Sequence, residues 1–262
     1  MIDTQGLLLT AASVTRPPLT MSAVDDAMRP TYTDLAAQLL ARDAADGAPH
    51  WVCLAGGPGS GKSTLSAAVV SLINEEAGTE RAVVLPMDGF HYSRAELQQL
   101  EDENGLERDT YLKRRGSPWT FDAQLCYESL AAAKRAGEAT LPTYSRVKSD
   151  PVPGGVELKT GHDIVIVEGN YLLMRHDPRW APLDALWDER WFLRCRDPAL
   201  QRRRLVLRHL ETWSDEKAAR WGAGEEGAAK RADANDVLNM ELIAPCEEYA
   251  ERVIDSMDSS ES

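Results

Sequence analysis

Eight consecutive residues in the first quarter of the chain could hold the phosphates of a nucleotide. The stretch GGPGSGKS, residues 56–63, fits the pattern G-x-x-x-x-G-K-[ST]. Its glycines let backbone N–H groups turn inward around an anion. Lys62 would reach the β- and γ-phosphates, and Ser63 would offer its hydroxyl to Mg²⁺. The residues expected to contact the nucleotide are Gly57, Pro58, Gly59, Ser60, Gly61, Lys62, Ser63 and Thr64.

Two carboxylates close apolar runs that are typical of buried parallel strands. Asp88 ends RAVVLPMD, and Glu168 ends the run DIVIVE before a glycine. Asp88 could accept the proton of an attacking hydroxyl, and Glu168 could meet Mg²⁺ directly or through water. The alternatives are a turn-capping role for Asp88 and a role without metal for Glu168. We expect the strand before Asp88 to neighbour the strand before the glycine-rich loop, so that both end at one sheet edge.

Two clusters of basic residues could contact anions. Arg204 and Arg208 lie four apart on a predicted helix, hence on one face. Such a face can close over phosphates and neutralise developing charge, and the alternative is a solvated face. The second cluster consists of Lys113, Arg114 and Arg115. For this cluster, an anion-binding role and a solvated surface are equally open.

The elements that must position these residues alternate along the chain. Strands are predicted over 51–55, 81–88, 163–169, 189–195 and 251–256, and helices over 31–45, 62–76, 122–136, 198–211 and 233–248. This alternation predicts an α/β fold with a parallel sheet and helices on both faces. The long stretch between Asp88 and Glu168 is too long for a simple crossover. It indicates a substrate-side insertion over the carboxyl ends of the strands.

Composition excludes several classes of protein. The formal net charge is −13, which disfavours nucleic acid as a main partner. No apolar run is long enough to span a membrane. The four cysteines contain no C-x-x-C pair, which argues against a zinc site and a disulfide scaffold. Reduced cysteines suit the cytoplasm. The oligomeric state, a homodimer included, is open.

Three classes of nucleotide-binding protein compete for this loop. A GTPase switch should carry N-K-x-D and a transporter-type ATPase should carry L-S-G-G-Q, and neither motif is present. A small-molecule kinase needs a carboxylate facing the γ-phosphate, an acceptor pocket and closing arginines, and the sequence offers all three. The alternative is an ATPase or nucleotide-binding regulator without kinase activity.

An ordered set of motifs resembles the phosphoribulokinase/uridine kinase/type I pantothenate kinase superfamily. The motifs are GGPGSGKS, MDGFHY, RRGSPWTFD, PTYS, IVEGNYLL and RLVLRH. The chain looks most similar to the nucleoside/nucleotide-kinase-like and fructose-transport-kinase-like branch. The resemblance covers roughly 30–256 and implies a P-loop NTPase fold with a five-stranded parallel core sheet, a substrate-side insertion and a helical lid.

The resemblance also implies MgATP as donor and a small-molecule hydroxyl as acceptor. By this resemblance, Asp88 corresponds to the family's catalytic base and Glu168 to its carboxylate near Mg²⁺. Arg204 and Arg208 correspond to basic positions in the family's lid. Tyr144 matches a substrate-side tyrosine. The acceptor-side residues we expect from motif and resemblance together are Asp88, Tyr92, Arg115, Trp119, Tyr144 and Arg146.

Two departures from the family pattern leave the acceptor open among nucleosides, sugars and pantothenate-like molecules. Gly116 stands where uridine kinases carry an aspartate that holds ribose hydroxyls, and Arg146 stands where pantothenate kinases carry histidine. Arg146 would favour an acidic substrate. Trp119 could stack on a ring or pack in the core.

The expected boundaries follow from these motifs. Residues 1–29 are predicted to be a disordered leader and 257–262 a disordered tail. Residues 30–256 are predicted to form one kinase domain, with an insertion over about 91–160 and a lid over about 197–232.

Overall fold

Seven strands build the sheets in the part of the chain that the structure describes. A computed structural model describes residues 23–42, 48–107 and 109–257. The strands are β1 (His50–Ala55), β2 (Ala82–Pro86), β3 (Ala139–Ser145), β4 (Asp150–Leu158), β5 (Ile164–Gly169), β6 (Glu189–Arg194) and β7 (Arg252–Asp255). Five of them form a parallel sheet in the order β2–β5–β1–β6–β7. This confirms the predicted five-stranded parallel core, and β3 and β4 pair as a separate antiparallel hairpin.

Helices surround the sheet and build the insertion. The α-helices are α1 (Ala23–Leu40), α2 (Lys62–Ala77), α3 (Arg94–Glu103), α4 (Thr110–Lys113), α5 (Ala123–Ala136), α6 (Pro198–Glu211), α7 (Asp215–Trp221), α8 (Gly224–Arg231) and α9 (Val237–Ile243). Short 3₁₀ segments cover Met87–Phe90, Pro118–Thr120, Ala181–Leu186 and Ala244–Tyr249, and a π-helix covers Ala232–Asp236. No helix among the described residues is long and apolar enough to cross a membrane.

The two faces of strand β5 pack against two separate layers of the hydrophobic core. All six of its residues are buried, as expected for a parallel strand covered on both faces. Val165 and Val167 face a cluster that includes helix α5, whereas Ile164 and Ile166 face a cluster that includes α1 and α2. The alternation follows from the two-residue period of a strand, so the sheet is held rigidly from both sides.

The first helix begins earlier than predicted. It spans Ala23–Leu40 rather than 31–45, and residues 23–29 therefore lie in a helix. Met28, Leu35 and Leu39 are buried against the apolar face of α2, and this packing extends the helix beyond the predicted start. The remainder of the predicted leader, residues 1–22, and the end of the predicted tail, residues 258–262, lie outside the described residues.

Two other segments differ from the predictions. The hairpin of β3 and β4 lies in a proline-rich stretch of the insertion for which no strand was predicted. Proline is tolerated there because both strands are edges. The single helix predicted over 233–248 is instead a π-helix, α9 and a 3₁₀ segment. Pro245 ends the α-helical part because it lacks the N–H that the next turn needs.

The turn after β2 is wedged between β5 and the hairpin. A Cβ atom on Gly169 would lie 2.5 Å from the Cβ of Met87. On the other side, a Cβ atom on Gly89 would lie 2.1 Å from the carbonyl oxygen of Pro142. Asp88 lies between these two close approaches, so its position is set by backbone packing on both sides.

We predict that Gly89→Ala lowers the free energy of unfolding by about 1–3 kcal/mol, because the added methyl group must displace the hairpin backbone. Gly161→Ala is the matched control, since its Cβ would have no atom within 4 Å. Urea unfolding of both variants measures the difference. Equal unfolding midpoints for Gly89→Ala and Gly161→Ala would contradict this packing.

Candidate active site

The glycine-rich loop connects β1 to α2 and is supported from the lid side. Gly59 and Gly61 have φ angles of 79° and 101°, which glycine adopts without strain. Helix α6 packs on the loop: the Gln201 side-chain amide donates a hydrogen bond of 2.8 Å to the carbonyl of Pro58. The Ser60 side chain is fully buried and its hydroxyl has no partner among the described residues. The loop is therefore a preformed, polar turn.

Lys62 extends into this loop and is buried, with 7% of its surface exposed. Its Nζ donates to the carbonyl of Gly57 at 3.0 Å and to the Asn170 amide oxygen at 2.9 Å. Neither partner is charged. Burial lowers the pKa of Lys62 to about 8, while nearby Glu168 and Asp88 oppose that shift. A phosphate group would supply the negative charge that this ammonium lacks.

Ser63 and Glu168 form an oxygen pair beside Lys62. The Ser63 hydroxyl donates to a Glu168 carboxylate oxygen at 3.0 Å. Burial raises the pKa of Glu168, and Lys62 partly opposes the rise. Hydroxyl and carboxylate oxygens are ligands that Mg²⁺ accepts. Among the described residues no group of three or more His, Cys, Asp or Glu could hold a metal, so Mg²⁺ at this pair would also need phosphate and water oxygens.

Asp88 lies at the same sheet edge with its carboxylate exposed. Within the described residues its side chain has no hydrogen bond or ion pair, and its charge acts on the pKa of both Lys62 and Glu168. The backbone of the turn is anchored by His91, whose Nδ1 lies 2.8 Å from the Asp88 carbonyl oxygen. A free carboxylate on an anchored turn is available to a ligand.

The order of the strands corrects one expectation about Asp88. Strand β2 does not neighbour β1, because β5 pairs with both and lies between them. Strand β5, which is buried over its whole length, takes the position covered on both sides. All three strands still end at one edge, which brings the loop, Glu168 and Asp88 together there.

Two of the expected acceptor-side residues meet near Asp88. The Tyr144 ring lies 4.7 Å from the His91 ring, and the Arg115 guanidinium lies 5.5 Å above Tyr144. Arg115 also donates to Asp150 at 2.9 Å, so its orientation is fixed. Arg146 is exposed in the hairpin turn, and its charge acts on the pKa of Glu168.

Two others lie apart from this group. The ring of Tyr92 is near Asp122 and Glu96, whose charges act on its pKa. Tyr92 contacts Arg115 through its backbone carbonyl, which accepts a hydrogen bond of 2.6 Å from the guanidinium. Trp119 is 38% exposed, which is more than a packed core residue would show. The roles of both residues in binding stay predictions.

The two predicted lid arginines have different partners. Arg208 lies 3.8 Å from Asp236 of the π-helix, and its charge contributes to lowering the pKa of Lys62. Arg204 donates to Ser256 at 2.8 Å and to the Met257 carbonyl at 2.9 Å. Only Arg208 is thus placed toward Lys62, and a contact of Arg204 with phosphate stays a prediction.

Sequence reasoning missed the amide side chains that hold the site together. Asn170 binds Lys62, and its place directly after the E-G pair is the signal that could have found it. Asn235 and Asn239 donate to the carbonyls of Arg115 and Gly116 at 2.6 and 3.2 Å. These hydrogen bonds join the end of the lid to the RRGSP loop, residues 114–118, which lies more than a hundred residues earlier in the chain. No local sequence pattern predicts them.

Comparisons with known proteins identify the family that this chain resembles in sequence. Residues 51–188 match the model of the phosphoribulokinase/uridine kinase family. A protein of Schizosaccharomyces pombe provisionally described as a uridine kinase is 37% identical over 192 residues, which are 72% of this chain and 76% of that protein. A pantothenate kinase of Bacillus velezensis is 32% identical over 50% of this chain and 41% of its own length.

A solved structure extends the similarity to most of the fold. It is a protein of Silicibacter sp. TM1040, provisionally described as a fructose transport system kinase. It superposes with a TM-score of 0.68 and 29% identity. The match covers 89% of this chain and 99% of that one.

We predict that nucleotide binding is accompanied by proton uptake near pH 8. The pKa of Lys62 is about 8 in the free protein, so roughly half of the molecules carry a neutral Lys62 at that pH. Phosphate charges would raise this pKa, and about half a proton should be taken up when ATP binds without Mg²⁺. Calorimetry in buffers of different ionisation enthalpy measures the number. Uptake should vanish in Lys62→Met and persist in Glu168→Gln, and uptake that is equal in Lys62→Met and wild type would contradict the assignment.

Proposed function

The chain belongs to the phosphoribulokinase/uridine kinase family, and on that premise we propose that it transfers the γ-phosphate of ATP to a hydroxyl group of a small metabolite. The observation that carries the proposal is the exposed, unpartnered Asp88 at the sheet edge that also presents Lys62 and Glu168. An ATP-binding site alone would not need that carboxylate.

The residues of the loop hold the donor in this proposal. Backbone amides of the loop and the Lys62 ammonium bind the phosphates, since both present positive charge to them. Ser63 and Glu168 would hold Mg²⁺, which when bound neutralises charge on the phosphate oxygens. Asn170 and the Gly57 carbonyl keep Lys62 extended toward the phosphates.

Asp88 acts on the acceptor in this proposal. Its carboxylate accepts the proton of the acceptor hydroxyl as that oxygen bonds to the γ-phosphorus and the bond from phosphorus to the ADP oxygen breaks. Arg208 approaches from the lid, where its charge stabilises the transferring group. Lid closure excludes water, which would otherwise accept the phosphate.

We propose a cytoplasmic location, which suits the buried thiols of Cys53, Cys126 and Cys246. An ATPase or regulator without an acceptor is the competing function, and it predicts ADP release that no metabolite accelerates.

The test is acceptor-dependent release of ADP from wild type and from Asp88→Asn, over a panel of nucleosides, sugars and hydroxy acids, each with its phosphate ester. We expect one class of acceptor to accelerate ADP release by wild type. Asn cannot take the proton, so the accelerated rate should fall by about 10²–10⁴-fold in Asp88→Asn. ATP affinity should stay within about twofold of wild type, because the loop and Lys62 provide it.

Two outcomes contradict the proposal in different ways. ADP release that no member of the panel accelerates supports the ATPase alternative. Equal acceptor-dependent rates in Asp88→Asn and wild type remove Asp88 from the mechanism and leave Glu168 as the next carboxylate to examine.

A further inference from the structure

A cavity of about 460 Å³ lies between the insertion and the lid, and its wall is strongly basic. It is bounded by helix α4, the turn of the β3–β4 hairpin, the α7 region and the end of α8. Eight of its seventeen lining residues are lysine or arginine and only Glu216 is acidic. The whole chain carries a net charge of −13, so this concentration of positive charge runs against the composition of the protein.

Among the described residues, carboxylates pair with three of these eight cations. Arg94 lies 3.7 Å from Glu216, and Arg115 and Arg220 pair with carboxylates outside the lining at 2.9 and 3.0 Å. Within the part of the chain that the structure describes, the other five have no carboxylate within 4.0 Å. These five, which we call the free cations, are Lys113, Arg146, Lys148, Lys217 and Arg231.

Two of the free cations, Lys217 and Arg231, are disfavoured by burial and by neighbouring positive charges. Burial lowers the pKa of Lys217, and the charges of Arg231 and Arg94 lower it further. Burial also lowers the pKa of Arg231; Asp236 and Tyr144 partly oppose this shift, whereas Arg208 and Arg220 add to it. Like charges held together at partly buried positions cost stability, and a bound anion would remove that cost.

The cavity reaches toward Asp88 through Tyr144, whose ring lies 4.7 Å from the His91 ring, and His91 in turn contacts the Asp88 carbonyl oxygen. Tyr144 lines it, and the charges of both Arg231 and Asp88 act on the pKa of Tyr144. Arg146 also lines it, and its charge acts on the pKa of Glu168. A molecule whose hydroxyl group lies at Asp88 would therefore extend its far end among the free cations.

We infer that the acceptor is a phosphorylated hydroxyl compound whose existing phosphate lies among the free cations, away from the hydroxyl that reacts. The inference rests on the proposed function. A neutral nucleoside or sugar would leave the five charges uncompensated. A phosphate monoester carries two negative charges and three acceptor oxygens, and it suits guanidinium and ammonium groups that approach from several sides. The product would carry two phosphate groups.

The test compares ribose, uridine and fructose with ribose 5-phosphate, uridine 5′-monophosphate and fructose 6-phosphate, and adds glycerate as a hydroxy acid. Binding is measured by calorimetry with ADP present, and turnover by ADP release from ATP. The variants are Arg231→Gln and Lys217→Gln. Lys159→Gln is the matched control, because it removes one charge from an exposed pair with Glu80 outside the cavity.

We expect at least one phosphorylated compound to bind and to be turned over at least tenfold more efficiently than its neutral partner. Loss of one charged hydrogen bond should weaken that binding by about 10–100-fold in Arg231→Gln and Lys217→Gln. KM should rise by the same factor with kcat changed less than about threefold, because the free cations lie away from the reacting atoms. Lys159→Gln should behave as wild type.

The remaining outcomes separate the two proposals. Efficient turnover of neutral compounds or glycerate, unaffected by the two cavity variants, overturns the inference and leaves the kinase function standing. Charge-dependent binding of a phosphorylated compound without accelerated ADP release overturns the kinase function and leaves the anion site standing. Absence of both binding and acceptor-dependent turnover for every compound in the panel contradicts both.

Discussion

The burial of the Lys62 ammonium is the constraint on which the rest of the site depends. Only the neutral oxygens of Gly57 and Asn170 bind it directly, and its lowered pKa records the cost of burial. A buried cation without a paired anion is costly, and such perturbed groups concentrate at functional sites. The close approach of β1 and β5, the rigid two-layer core and the packing of α6 on the loop keep that lysine where phosphates can reach it.

A second set of contacts joins the acceptor side to the lid. Asn235 and Asn239 follow the lid in the chain, yet they bind the carbonyls of the RRGSP loop in the insertion. Asp236, between them, lies 2.8 Å from His209 on α6. The π-helix that carries Asn235 and Asp236 is a geometry often found at functional sites. Arg208, Arg231 and the RRGSP loop are thus held by one short segment, which links the donor side to the acceptor side.

The sequence predicted the parts of the site that local patterns encode. The glycine-rich loop, Glu168 and Asp88 each follow an apolar strand, so motif and strand boundary reinforced each other. The order of the strands was not predicted correctly, because β1 and β2 are separated by a strand that comes more than a hundred residues after β1. The hairpin was hidden by its prolines, and the partners of Lys62, Arg204 and Asn235 depend on contacts that only the folded chain brings together.

The most direct test of this account measures the stability of Lys62→Met without nucleotide. The folded pKa of Lys62 is about 8 against an ordinary value of 10.5, so the unfolded chain binds this proton more tightly. The cost to wild type is full below pH 8 and disappears as pH rises through 10.5. The variant should be more stable at pH 7 by about 1–3 kcal/mol and equal to wild type near pH 11. Its rise of Tm with ATP should be much smaller than that of wild type, because only the loop amides remain to bind the phosphates. A variant that is less stable at pH 7, or that ATP stabilises as much as wild type, would contradict the account.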